Sequence, residues 1–135
     1  MYLLDTMVIS ELRRARPHGG VLAWLKNIDD ADLRISAVTL GESQAGIERT
    51  RKQNPPRAAE LEAWLDVVAA SWNVLPMDGA IFRRWAQRMH GRNDDRIEDA
   101  MIAATAAVHG LTVVTRNVRD IRPFGVKTLD PFKAA

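Results

Sequence analysis

Apolar positions along the chain alternate between short runs and helical stripes. Tyr2-Leu3-Leu4 is a short apolar run, the pattern of a buried strand, and Asp5-Thr6 follows it, with Thr6 near the N-cap of a helix. Met7, Val8, Ile9 and Leu12 are the expected inward positions of that helix, which ends by Pro17; His18-Gly19-Gly20 reads as a turn. A second helix is expected over 21–27, and Leu33-Arg34-Ile35-Ser36 reads as a second strand. A helix follows from Val38 to Lys52. Asn54-Pro55-Pro56 stops it, and Pro56 suits the first turn of the next helix, over 57–72, whose stripe is Leu61, Leu65 and Val68. Val74-Leu75 is a short strand candidate. Asp78 caps a helix reaching His90, with Ile81, Phe82, Trp85 and Met89 inward, and 91–96 is a polar loop. Residues 97–108 are apolar on nearly every face, which marks a central buried helix; His109-Gly110 ends it. Leu111–Thr115 reads as a strand and Val126–Leu129 as a short last one. Strands alternate with helices throughout, so the pattern predicts an α/β fold with a mostly parallel central sheet flanked by helices.

Composition narrows the class. The 135 residues fit one domain, taken as 1–135, and 47% apolar with 27% charged residues is the balance of a packed chain, not a disordered one. No run approaches the ~20 apolar residues of a membrane span, and the N-terminus lacks the basic start and apolar stretch of a signal peptide. The absence of cysteine removes disulfides, thiolate metal sites and a Cys nucleophile, and a cytoplasmic location is expected. Net charge is only +2, but the cations are 15 Arg against 4 Lys. Arginine's forked donors suit phosphate or carboxylate; an ordinary solvated surface explains the same composition equally well.

Four acids stand where surface charges are not expected. Asp5 follows the first strand directly, at the carboxyl end where open α/β sheets bind ligands. Glu42 shares a helix face with Val38 and Ala45. Asp99 lies in the first turn of the apolar helix, and Asp120 just beyond the strand ending at Thr115. Taken one at a time, each has an ordinary role: helix caps for Asp5 and Asp99, a stripe-edge charge for Glu42, a loop residue for Asp120. Taken together, inward carboxylates need pairing or a cation. Arg96 is a candidate partner for Asp99 and Arg116 for Asp120. If the four acids converge, a hard divalent cation, Mg²⁺ or Mn²⁺, is the simplest counter-charge.

These residues resemble the PIN-domain ribonucleases, specifically VapC toxins of type II toxin–antitoxin systems. The resemblance rests on Leu3-Leu4-Asp5-Thr6 with Val8–Leu12, Ile35–Glu42 with Gly46-Ile47, Glu98–Ala106, Thr115–Asp120 and Leu129-Asp130-Pro131-Phe132, in order over nearly the whole chain. It implies a PIN-like fold and a Mg²⁺- or Mn²⁺-dependent endoribonuclease. The implied core acids are Asp5, Glu42 and Asp99, with Asp120 as a fourth candidate for both catalysis and metal binding. It also implies an RNA substrate, a VapB-type antitoxin, DNA contact only through that antitoxin, and a homodimer. Two positions depart from the family pattern: Met7 stands where members often have Asn, and Asn117 where some have a fourth acid directly after Thr-Arg.

Thr6, Thr115, Arg116 and Asn117 are candidates for positioning water or substrate, although capping and strand propensity also account for the threonines. Arg13-Arg14-Ala15-Arg16 and Arg49-Thr50-Arg51-Lys52 read either as RNA-binding patches or, more simply, as solvated helix ends. Trp24, Trp64, Trp72 and Trp85 fit core or subunit-interface positions better than base-stacking platforms. The alternative to a nuclease is a non-catalytic PIN-like module that binds RNA or antitoxin, motivated by Met7 and Asn117. A phosphoacceptor receiver domain is disfavoured, because no middle strand ends in Asp and the only late lysines are Lys127 and Lys133.

Overall fold

The structure, a computed structural model, describes residues 1–92 and 96–133. Five strands form one parallel sheet: β1 (Tyr2–Leu4), β2 (Leu33–Ser36), β3 (Val74–Leu75), β4 (Thr112–Val114) and β5 (Thr128–Leu129), in the order β3-β2-β1-β4-β5. Seven helices are described: α1 (Thr6–Glu11), α2 (Gly19–Lys26), α3 (Ala37–Gln53), α4 (Pro55–Ser71), α5 (Gly79–Met89), α6 (Ile97–His109) and α7 (Val118–Ile121). The α/β class and the parallel sheet agree with the sequence pattern.

Both sheet faces are buried, because each crossover lays a helix on the sheet. Successive residues of β1 serve opposite faces: Leu4 packs with Val8, Ile9, Val21, Ile35 and Val114, whereas Leu3 packs with Ile102, Ala106, Val113 and Ile121. The α3–α4 hairpin closes over Ile47, Ala58 and Leu65. Phe124, fully buried, fills the space against Ala100 and Ala103 of α6, with Trp85 and Met89 of α5 packed beside it.

The helix starts follow local chemistry. Ser36, Asn54 and Asp78 accept hydrogen bonds from the backbone N–H groups of Val38, Arg57 and Ile81 and so cap α3, α4 and α5. Helix α6 ends on Gly110 at φ 67°, a left-handed conformation suited to glycine. Four expectations need correction. Asp5, not Thr6, caps α1. Met7 faces outward at 38% exposure while Glu11 is buried, because Glu11 accepts a hydrogen bond from the His18 backbone at 2.8 Å. Phe82 is 44% exposed: the inward stripe of α5 runs through Ile81 and Trp85, and Phe82 meets only the edge of Trp85. Asp120 lies in α7, a helix the sequence pattern did not predict. The polar loop expected over 91–96 includes 93–95, which lie outside the described residues.

Candidate active site

In a parallel sheet all carboxyl ends share one edge. The order β3-β2-β1-β4-β5 makes β1 and β4 the pair between which successive connections diverge, and ligands of α/β sheets bind at such a switch point. Asp5 stands there at the end of β1 and Thr115 at the end of β4. The Asp5 backbone N–H donates to the Val114 carbonyl at 2.9 Å, and the Thr115 hydroxyl donates to Asp5 Oδ2 at 2.8 Å. Asp5 Oδ1 accepts from the Thr6 N–H, also at 2.8 Å. Each carboxylate oxygen is therefore held by its own donor. Asp5 is only 6% exposed, and its pKa is nevertheless raised: burial outweighs the two hydrogen bonds.

Helix α3 leaves the end of β2 and carries Glu42 over the same edge. The Thr6 hydroxyl donates to Glu42 Oε1 at 2.8 Å and stands 3.2 Å from the Thr39 hydroxyl. Burial raises the Glu42 pKa, the Thr6 bond opposes the rise, and the charges of Asp5, Glu98 and Asp99 add to it. Helix α6 supplies Asp99 in its first turn. Its pKa is pushed up to about 6 by burial first, then by Asp5 and Asp120, with Arg96 opposing. Asp5, Glu42 and Asp99 thus stand close enough to repel one another. None of the three forms an ion pair among the described residues.

Asp120 is different. Arg96 Nη2 lies 3.6 Å from its Oδ1, so the expected pairing is exchanged: Arg96 meets Asp120, not Asp99, and Arg116 meets neither acid. Asp120 borders the cluster through its charge on Asp99. Arg116 is exposed, with its guanidinium carbon 4.5 Å from the centre of the Phe132 ring. The Asn117 backbone N–H donates to the Thr115 hydroxyl, and its side-chain amide lies 3.3 Å from the Met7 sulfur. The two positions that depart from the family pattern thus touch each other. Thr6 and Thr115 direct their hydroxyls at the acids. Sequence reasoning passed over Thr39 and Glu98. Glu98 lines the same cleft as Thr6 and Glu42, and the signal was its place beside Asp99 in the first turn of α6.

The donor set is all oxygen, carries like charges and, among the described residues, has a paired cation only at its Asp120 edge. That chemistry fits a hard divalent cation. Among the described residues, no three acidic or imidazole side chains already stand in ligand positions, so the fit is one of donor type and charge, not of a preformed cage.

A family model described as the PIN domain matches residues 2–122. The chain is 33% identical over 140 residues to Toxin FitB of Neisseria gonorrhoeae, covering 98% of this chain and 99% of that one. It is 34% identical over 146 residues to VapC ribonuclease Y4jK of Sinorhizobium fredii, covering all of both. Among solved structures, that of FitAcB from Neisseria gonorrhoeae superposes with a TM-score of 0.82 at 31% identity, over 98% of this chain and 99% of that chain. The family match over residues 2–122, the identity to these relatives over nearly the whole chain and the structural likeness agree: this chain belongs to the PIN domain family.

Proposed function

We propose that the chain is a metal-dependent endoribonuclease and the toxin of a toxin–antitoxin pair. The observation that carries this reading is the set of three mutually repelling carboxylates, Asp5, Glu42 and Asp99, at the carboxyl edge of the sheet. Among the described residues no cation pairs with them. The relatives named VapC ribonuclease and Toxin FitB support the activity class.

Asp5, Glu42 and Asp99 would hold Mg²⁺ or Mn²⁺, with Asp120 at the margin. Such a cation supplies charge neutralisation at a phosphodiester and makes a bound water more acidic. The chain's own contribution is orientation. Thr115 and the Thr6 N–H fix the two oxygens of Asp5, and the Thr6 hydroxyl fixes Glu42. Asp99 sits near the N-terminus of α6, where the helix dipole favours its ionised form against the repulsion of its neighbours. Arg96 orients the Asp120 carboxylate at the edge of the cluster.

An antitoxin partner is part of the proposal. It is supported by the relative named Toxin FitB and by two solved structures with this fold, FitAcB and, at a TM-score of 0.73 and 29% identity, FitAB bound to a DNA fragment. A homodimer, a cytoplasmic location and DNA contact only through the antitoxin complete the reading. Among the described residues no helix is long and apolar enough to cross a membrane.

The test is cleavage of single-stranded RNA by chain purified free of host nucleases. Cutting is expected with Mn²⁺, none with EDTA, and none from Asp5→Ala or Asp99→Ala that still unfold in a cooperative thermal transition. Equal cutting by the variants would refute the assignment. One observation favours a module that binds without cutting: the Asn117 amide is turned to the Met7 sulfur instead of an acid. Mn²⁺-independent RNA binding without turnover by the wild type would establish that reading instead.

A further inference from the structure

The acid edge opens into a cleft of about 430 Å³ between α1, α3 and α4. Thr6, Glu42 and Glu98 line one part of it. Arg13, Arg49 and Ser43 also line it, over a floor that includes Ile47, Leu61 and Trp64.

Several of the arginines nearby are already paired. Arg51 pairs with Glu48 and Glu62, Arg57 with Glu60, and Arg14 approaches Glu11 at 3.7 Å. Arg13 and Arg49 take part in none of the ion pairs formed among the described residues. They belong to the same two basic runs, at 13–16 and 49–52, yet only these two of the runs' cations face the cleft. Arg13 also feels the positive charges of Arg57 and Arg14. Two guanidinium groups on one cleft, each outside the ion pairs formed among the described residues, offer an incoming anion two unengaged forks of donors. The Ser43 hydroxyl adds a second unmet group: its oxygen is buried without a hydrogen-bond partner.

We infer that Arg13 and Arg49 form a subsite for the phosphodiester backbone of a single RNA strand, beside the position where the acids would cut it. This rests on the nuclease reading of the acids. An RNA strand carries one negative charge at every linkage. With a cation on the acids, one linkage fits there while a neighbouring linkage meets the arginines. An acidic protein segment satisfies the arginines but is repelled by Glu42 and Glu98 in the same cleft.

The experiment measures RNA affinity against salt concentration. A short fluorescein-labelled single-stranded RNA is titrated with the wild-type chain at a fixed Ca²⁺ concentration, a hard cation that neutralises the acids, and gel analysis after each titration checks that the strand is uncut. Each phosphate contact contributes about 0.7 to the slope of log affinity against log salt for a single strand, so Arg13→Gln/Arg49→Gln should lower the slope by about 1.4. Arg14→Gln/Lys52→Gln removes the same charge from the same two runs outside the cleft and should leave the slope unchanged. Melting temperatures equal to the parent's confirm that both double variants fold. An unchanged slope for the first pair, or an equal fall for the second, overturns the subsite. If the wild type still cuts RNA with Mn²⁺ in that case, the nuclease reading stands without it. A wild type that neither binds nor cuts RNA overturns both. Normal RNA binding by Arg13→Gln/Arg49→Gln, with loss of a co-purifying protein partner, reassigns the arginines to a protein interface and also overturns the subsite.

Discussion

Replacing Asp99 by Asn should stabilise the metal-free protein at neutral pH, although it alters a residue proposed to be essential for activity. Asp99 is held near pKa 6 in the fold against 3.8 for the free group. At ~1.4 kcal/mol per tenfold change, that rise corresponds to about 3 kcal/mol of unfavourable ionisation. Asp99 is only half-buried, and solvent screening reduces the figure to about 1–2 kcal/mol. The folded state binds the proton more tightly than the unfolded chain does. Both states are protonated below about pH 4, and both are ionised well above 6. Stability from this group is therefore intact at low pH and lost as pH rises from about 4 through 6. The asparagine amide does not ionise, so the variant should match the wild type near pH 4 and exceed it at pH 7–8 in EDTA. The difference should be a melting-temperature gain of roughly 3–8 °C. The lost attraction between a carboxylate and the α6 dipole works the other way, by about 0.3–1 kcal/mol, and is smaller than the relief. Adding Mn²⁺ should stabilise the wild type and not the variant, closing the gap. A variant no more stable than the wild type at pH 7 in EDTA would refute the claim that these carboxylates repel one another.

Other consequences concern neighbours of the cluster. Thr115→Val leaves Asp5 Oδ2 buried without its donor and should cost about 1–3 kcal/mol in urea unfolding. Arg96→Gln removes the cation that opposes the rise at Asp99, so the pH-dependent loss of stability should shift to higher pH, read by thermal melts across pH 4–8. Gly125 has φ 79°, and a Cβ there would stand 2.7 Å from the Arg88 guanidinium. Gly125→Ala should therefore destabilise by about 1 kcal/mol or more, checked by the same melts.

Much of this architecture was legible in the hydrophobic pattern. The strands at 2–4, 33–36 and 74–75 and the central helix after residue 97 are short apolar runs and an all-apolar stretch with few alternative packings. Asp5, Glu42 and Asp99 stood out because each is a charge placed on an apolar element. What the pattern could not carry depends on contacts distant in sequence. Burial of Glu11 is decided by one backbone N–H seven residues away, at His18. The choice of Arg96 for Asp120 depends on how α6 and α7 meet. Thr39 gains meaning only once α1 and α3 bring it to Thr6. Helix α7 has only four residues, too short to show a period. Arg14 and Arg51 pair with acids one helical turn away, at Glu11 and Glu48, but that Arg13 and Arg49 line one cleft is invisible until α1 and α3 come together.

Titration calorimetry of Mn²⁺ into the metal-free wild type at pH 7.5, beside Asp5→Ala and Asp99→Ala, tests the central claim most directly. The account predicts saturable binding to the wild type and loss of that binding in both variants. Binding that survives in both, or none to a folded wild type at millimolar Mn²⁺, would contradict it.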